Sequence, residues 1–574
     1  MVVPFPREFA PPVGDGADVT HRLFFGKAPD DFDPTTDFAI GTWCFAGAES
    51  RLNTWRHISF TAPFCDEADR LQQVQLCDHL YKWVLEQQAA EFVERHPQLP
   101  LTYWRYLLGP WVQYSVYQAW SRYRVLERFF ASHADIALVA EVIDPDSTFS
   151  IATMEEIAPV FLSPFFIHWQ ASRFVEAMAP ENVTLVHITD VKPDWSGTSE
   201  PPPPKSSHLR DWLGQAIDPV PGTRGWQRIL LAMVLWCRGR SRRSRNLPSD
   251  GSAWNPKQHF PEPFLRVLPT LLASLCPANF DRLPAAVTVG RPWLRIRTPD
   301  YMSTAKRREN AISVAAGVRL VETQHGSHYG TALPFCIGAA FEYSADAFIT
   351  WGWMRHAPYV GRFVPLPSPH LSHLRNRHRE TKRVAIVVGT RISTSYDGFL
   401  WPSIGGTALR YLDGKEALLS HLRQNDIPLA YRPFLFDKET ALFEEYLSRS
   451  MPDLTLVSGR LWDHALGCRL LVLDHYSTPL HEALVANVPT ICIWSTQCPE
   501  ISVDARPVFE RLRACGIIYD DPIEAAIAVV RIWPDVEAWW RSPLVQEARA
   551  EFCRLHARTS RAWLPIWLLW LARL

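Results

Sequence analysis

The chain has 574 residues, is 47% hydrophobic and 21% charged, and sets 59 Lys plus Arg against 60 Asp plus Glu for a formal net charge of -1. That length exceeds the roughly 250–300 residues at which a single core stops growing, so two or three domains are expected, and the apolar content excludes a disordered chain. The even charge makes no global case for nucleic-acid binding, while 24 Trp and 47 Pro stand out as unusual.

Residues 1–36 are rich in Pro, Asp and Gly and read as an irregular segment, with structure beginning near Asp37. Met1 to Pro12 hold no basic stretch followed by an apolar run, so no secretory signal is read there. Eleven irregularly spaced cysteines, from Cys44 to Cys553, do not make the dense pattern of a disulfide scaffold. Both observations point to the cytoplasm. From Glu67 to His96, Leu71, Val74, Leu76, Leu80, Trp83 and Val84 recur mostly at helical spacing, and the Trp- and Tyr-rich stretch Tyr103 to Phe130 continues in that style. This half is read as mostly helical. Ser196 to Ser207, with Pro201 to Pro204, is stiff polyproline-like chain suited to a surface loop.

Two apolar runs, Ile229 to Cys237 and Ala562 to Ala572, fall short of the ~20 residues needed to cross a bilayer. The first is followed by Arg238, Arg240, Arg242, Arg243 and Arg245. That is the pattern of an interfacial segment facing anionic lipid, and equally of a buried helix before a solvated loop, the reading its shortness favours. Peripheral membrane contact at the inner face thus stays open.

After residue 280 the rhythm changes to β-branched runs alternating with helices. Ala285 to Gly290, Val318 to Thr323 and Ala347 to Thr350 read as strands, with a helix at Ser303 to Val314. A second series opens with the strand Arg383 to Val388 and continues through Pro428 to Arg432, Leu454 to Val457, Cys468 to Leu473 and Thr490 to Trp494. Its helices fall at Ala408 to Gln424, Glu439 to Ser450 and Pro479 to Ala486. Joined by the Pro-rich Val364 to Pro369, the two series predict an α/β chain with two Rossmann-like domains facing a cleft. A helix-rich domain would occupy 37–370 on the acceptor side, a nucleotide-donor domain 371–543, and a terminal helical region 544–574. This layout is similar to that of GT-B glycosyltransferases, in which a C-terminal helix packs back on the N-terminal domain.

Two turns carry the chemistry. In Cys468 to Trp494 a buried strand ends at Asp474, Ser477 and Thr478 occupy the turn, and Glu482 follows in the first helical turn. Backbone N–H groups at a helix start together with two hydroxyls can hold a phosphate without lysine; such residues also cap helices that bind nothing, and Glu482 would then be part of a capping box. In Val321 to Gly330 a strand delivers Gln324 and His325 to a glycine turn at Gly326, followed by His328. His325 would face the cleft as a general base or phosphate ligand, or be structural; no ligand set at zinc spacing follows it. Arg391 and Arg432 stand after strands, where guanidinium forks suit phosphate oxygens, although either can instead be an ion-paired surface residue. Glu342, beyond the HG turn, is a second acid or base, or the partner of an arginine. Aromatic residues of Tyr103 to Trp111 and Phe341 to Trp353 either line an acceptor site or pack in the core.

The TQHGSHYG and DHYSTPLHEAL segments resemble the HG and Ser/Thr turns of teichoic-acid glycerophosphotransferases and capsule Kdo transferases. With Thr42-Trp43-Cys44, Tyr103-Trp104-Arg105, Leu108-Gly109-Pro110-Trp111, Phe341-Glu342-Tyr343 and Thr350-Trp351-Gly352-Trp353, the chain is identified as a member of a family of bacterial surface-polysaccharide transferases. The resemblance implies a donor site at Ser477, Thr478 and Glu482, with Arg432 on the phosphates and His325 at the reacting centre; Arg391 is placed with them by its position after a strand alone. Gln324, Gly326, His328 and Asp474 would support it. It implies transfer of a sugar from a nucleotide-sugar donor to a glycan or lipid-linked glycan acceptor, with neither metal nor organic cofactor. Alternatives are a polyol-phosphate transferase, a nucleotide-sugar epimerase, or a non-catalytic scaffold of a polysaccharide assembly complex.

Overall fold

The computed structural model describes residues 21–45, 58, 60–189, 191–193, 213, 216–237, 254–282, 293–298, 303–333, 335, 338–390, 407–434, 447–494 and 500–574. Three parallel sheets organise them. The first contains β1 (His21–Phe24), β2 (Asp37–Ala39), β3 (Leu138–Ile143) and β4 (Val183–Ile188) in the order β2-β1-β3-β4. This sheet corrects the expectation of an irregular segment where 21–36 are concerned, and it adds four strands to an N-terminal half whose described residues are otherwise mostly helical, as expected. Strands of four and three residues carry too few alternations to show a period; β1 is held in place by parallel neighbours on both sides.

Helices α1 (Glu67–Arg95), α2 (Leu101–Ser132) and α3 (Pro164–Met178) share one core with this sheet. Helix α1 begins where the Asp66 side chain accepts from the Asp69 N–H, satisfying a donor the helix itself cannot. Tyr103, Trp104 and Trp111 lie wholly inside, so this aromatic stretch is packing between helices rather than a sugar-stacking surface. Next come α4 (Gly225–Cys237) and the amphipathic α5 (Glu262–Leu275), which buries Phe264, Val267, Leu268, Leu271, Leu272 and Leu275.

The second sheet contains β5 (Leu294–Arg297), β6 (Arg319–Thr323), β8 (Ala347–Thr350) and β9 (Phe363–Pro365), all parallel, with α6 (Thr304–Ala315) between β5 and β6. The expected strand Ala285 to Gly290 lies outside the described residues. Val364 to Pro369 is more than a linker, since it finishes β9 and starts α7 (Pro369–Leu374), whose Leu371 N–H is capped by Ser368.

The third sheet is built from β10 (Lys382–Val388), β11 (Leu429–Arg432), β12 (Thr455–Leu456), β13 (Cys468–Leu473), β14 (Thr490–Ile493) and β16 (Ile518–Tyr519). Its order is β12-β11-β10-β13-β14-β16. Counted from β10 this is the dinucleotide-fold order, in which the winding reverses between the first and fourth strands. Helices α8 (Thr407–Gln424) and α11 (Pro522–Ile532) cover one face; α9 (Thr478–Ala486), α10 (Arg506–Ala514) and α12 (Pro543–His556) cover the other. Burial on both faces explains the apolar run LLVL that follows Arg469 in β13. Most of the expected helix Glu439 to Ser450 is outside the described residues.

Two contacts join the second and third sheets. β7 (Ala332–Leu333) pairs antiparallel with β15 (Glu500–Ile501). The terminal region is two helices rather than one, α12 and α13 (Trp563–Arg573), and the turn between them returns to the second sheet. There the Arg558 N–H donates to the Trp351 carbonyl at 2.7 Å, and the Arg558 carbonyl accepts from Ser368 at 2.9 Å. Among the described residues no helix is long and apolar enough to cross a membrane.

Candidate functional site

Where the order of the third sheet reverses, β10 and β13 diverge and leave a crevice beyond their carboxyl ends. After β13 come Asp474 to Ser477, then α9. Beneath this turn lies Lys415 of α8, 2% exposed, donating to the Tyr431 hydroxyl at 2.6 Å and standing 3.7 Å from the Asp474 carboxylate. Gly389, just past β10, makes room for it, because a Cβ there would fall 2.2 Å from the Tyr431 hydroxyl and 3.0 Å from Lys415 Nζ. Asp474 also accepts from the Tyr411 hydroxyl at 2.6 Å and meets His475 Nδ1 at 2.8 Å, while His475 Nε2 meets Ser477 Oγ at 2.8 Å. Facing a carboxylate, Nδ1 is the donor, which leaves Nε2 to accept from the Ser477 hydroxyl. Asp474, His475 and Ser477 thus form a continuous hydrogen-bonded chain. Ser477 occupies the N-cap position of α9 but makes no side-chain cap bond, its hydroxyl being turned to His475.

Across from this turn, β6 ends in Gln324 and His325. The Gln324 carbonyl accepts from the Trp351 N–H and the Trp353 indole, both at 2.8 Å, and its amide donates to the Gly326 carbonyl at 2.9 Å. It is a brace between β6 and β8. Gly330 has φ 74°, and a Cβ there would meet the Trp353 ring at 2.4 Å. His356 Nδ1 accepts from the Gly330 N–H at 3.2 Å and Nε2 donates to the Ala332 carbonyl at 2.9 Å, fixing one neutral tautomer that holds the turn. His325 is exposed to the cleft, with Nδ1 2.9 Å from the Tyr329 hydroxyl. The protein crowded around it pushes its pKa down to about 4. An open ring with that shift is neutral at pH 7.

The two turns meet. Ser327 N–H donates to Thr478 Oγ1 at 3.2 Å, and the Tyr476 hydroxyl donates to the Ser327 carbonyl at 3.0 Å and lies 2.8 Å from Thr331 Oγ1. Gly326 faces Thr478 directly. Between them lies a cavity of about 150 Å³, lined by Gln324, His325 and Trp351 from the second sheet, Thr478 and Glu482 from α9, and Trp567 from α13. Glu482 is in the second turn of α9 and forms no capping box. One of its oxygens lies 2.5 Å from His370 Nε2 and the other accepts from the Trp462 indole at 3.0 Å.

The remaining candidates sit elsewhere. Glu342 is 2% exposed, at the end of a π-helical turn behind Tyr329, and does not line the cavity. Neither of its oxygens has a well-formed hydrogen bond. Burial raises its pKa well above the carboxylate range, against the nearby Tyr329 hydroxyl and with help from Glu322. Arg432 ends β11, on the far side of β10 from the Ser477 turn, and donates to the Gly459 carbonyl at 3.0 Å. Arg391 lies outside the described residues. His328 packs against the Tyr476 ring at 5.5 Å, and burial, with His475 adding, pushes its pKa down to about 4. Lys415, Tyr411, Tyr329, His370 and Trp567 were not legible as site residues. Only Lys415 had a signal, a lysine on the otherwise buried stripe Tyr411, Leu412, Leu418, Leu419 and Leu422. Among the described residues no three His, Cys, Asp or Glu side chains converge to hold a metal ion.

A dinucleotide-fold sheet whose Ser/Thr turn faces a second parallel sheet across a cavity defines an α/β protein with a cavity between two of its sheets. Residues 21–217 and 235–571 match the LIC12162 family of transferases, and the chain belongs to that family. No protein of curated function matches the sequence. Among solved structures, a Staphylococcus aureus TarM mutant in complex with fondaparinux, alpha-GlcNAc-glycerol and UDP matches with 11% identity and a TM-score of 0.32, over 48% of this chain and 55% of that one. Acinetobacter baumannii MurG matches with 10% identity and a TM-score of 0.29, over 49% and 73%. The match thus spans about half of the TarM chain, and the ligands named with it are properties of that protein.

Proposed function

We propose that this transferase moves a sugar from a nucleotide-sugar donor to a glycan acceptor, with the donor phosphates at the Asp474 to Thr478 turn and the reacting groups in the cavity. The observation that carries this reading is the bond between Ser327 and Thr478, which brings the HG turn and the Ser/Thr turn to one cavity at the switch point of the third sheet. A volume of about 150 Å³ suits a sugar ring or a phosphate, leaving the nucleoside outside it. The Thr478 N–H at the start of α9 and the Thr478 hydroxyl would hold phosphate oxygens, Pro479 having no N–H and the Leu480 N–H donating to the Ser477 carbonyl. Tyr329, a phenol facing a neutral imidazole, would donate to His325 Nδ1; Nε2–H then points to the cleft, and His325 serves as a donor to the leaving phosphate rather than as the base. Catalysis would rest on positioning and charge stabilisation.

Thermal-shift titration with CMP, CDP, UDP and GDP names the donor class, because only a ligand bound by the folded chain raises its melting temperature. With that nucleotide, Ser477→Ala combined with Thr478→Val should weaken binding by about tenfold or more, as loss of a hydrogen bond to a charged group does. His325→Ala should lower turnover far more than affinity. Undiminished affinity in the double variant would move the donor site elsewhere, and stabilisation by none of the nucleotides would remove the reading.

A further inference from the structure

Helices α4 and α13 are apolar nearly all round, reading GWQRILLAMVLWC and WLPIWLLWLAR. They pack together on one face of the second sheet, Leu231, Leu235, Trp567 and Leu571 sharing a core with Leu294, Ile296 and Val321. Two helices laid on one sheet turn their outer faces the same way, to solvent. On that side Trp226 is 53% exposed, Leu230 39% and Met233 48%, at positions i, i+4 and i+7 of α4, and Leu569 of α13 is 59% exposed. The buried-helix reading therefore holds for one side of α4 only. A surface helix ordinarily carries charge on its outer face, and contiguous exposed apolar surface marks an interaction site.

The charge at the margins has one sign. Pro219 to Ser249 contain seven arginines and no Asp or Glu, and Ala557 to Leu574 contain three arginines and no acid. Five of the seven fall in RGRSRRSR, which follows α4 directly in the sequence. Val220 and Pro221, just before α4, and Trp567 of α13 also line the cavity. The apolar face is the outside of one of its walls.

We propose that the α4–α13 face docks on an anionic phospholipid surface, its apolar side chains at the boundary of headgroups and acyl chains and its arginines on lipid phosphates. The docking stands apart from the sugar-transfer reading; where that reading also holds, the cavity lies beside the bilayer, within reach of an acceptor carried on a lipid.

The full-length chain is co-sedimented with vesicles of phosphatidylcholine alone and with vesicles containing about one quarter phosphatidylglycerol, at low and at raised salt. Binding to the anionic vesicles only, weakened by salt, is the expected result. Trp226→Ser with Met233→Ser should cut it about tenfold or more, and Arg240→Glu with Arg243→Glu should do the same, each with the wild-type melting temperature. Should the first pair fail to fold, the arginine pair decides alone. Equal binding to neutral vesicles, no binding to anionic ones, or a wild-type dimer that Trp226→Ser with Met233→Ser converts to monomer would overturn the proposal, the last by assigning the face to a second copy. Nucleotide binding in solution is unaffected by any of these results, so the two readings fail separately.

Discussion

Lys415→Met isolates the charge beneath the Ser477 turn. Lys415 and Asp474 are 2% and 3% exposed and 3.7 Å apart; at an effective dielectric constant near 20 their attraction is about 4.5 kcal/mol. Methionine keeps much of the stem but leaves the Asp474 carboxylate buried with only Tyr411 and His475, and removing one partner of a buried pair costs about 3–5 kcal/mol. Since each ~1.4 kcal/mol is a factor of ten, amides of β13 should exchange with deuterium roughly a thousandfold faster. Mass-spectrometric exchange on the peptide covering Cys468 to Leu473 reads this directly. Adding Asp474→Asn removes the unpaired charge and should restore most of the protection. Exchange within about tenfold of wild type in Lys415→Met, or a double variant no better protected than the single, would refute the argument that this pair sustains the sheet.

Acid should unfold the chain early. Burial pushes His356 and His556 to pKa values of about 4 and about 3, below the ~6.5 of an unfolded histidine. The unfolded chain then binds more protons at any pH under about 6.5, and at pH 5 the two groups together remove about 4 kcal/mol of stability. Melting temperatures at neutral pH and at pH 5 test this; His556→Leu should shrink the difference, and equal values would exclude it. Gly330→Ala places a Cβ at positive φ against Trp353 and should cost about 2 kcal/mol or more, seen as a melting temperature lower by several degrees. An unchanged melting temperature would show that the turn relaxes freely.

The strands of the third sheet could be read from RVAIVV, CRLLVL and TICIW because both faces of that sheet are covered, which makes each strand a largely apolar run. The start of the first sheet could not, since HRLF is held between two neighbours and DFA, at the sheet edge, pairs with HRLF. The site shows the same division. The Ser/Thr turn was legible as strand, small residues and helix, with Ser477 and Thr478 at a helix start, and the HG turn as a strand running into glycine. The bonds from Ser327 to Thr478 and from Thr331 to Tyr476 join residues about 150 positions apart and leave no local trace. His370 with Glu482 is a pairing of the same kind. The Trp-rich stretch of α2 left two readings open, an acceptor surface or core packing, and Trp104 and Trp111 are core.

The position of α13 has a consequence for synthesis. Trp563, Leu564, Trp567 and Leu571 complete the apolar face of the second sheet, yet β9, the last strand of that sheet, ends at Pro365. Nearly 200 residues must be translated between the two, which at about 5–20 residues per second leaves the face of Leu294, Ile296 and Val321 covered by α4 without α13 for about 10–40 s on the ribosome. The second sheet therefore cannot mature before α13 is made, and during that interval it is a natural client for a chaperone.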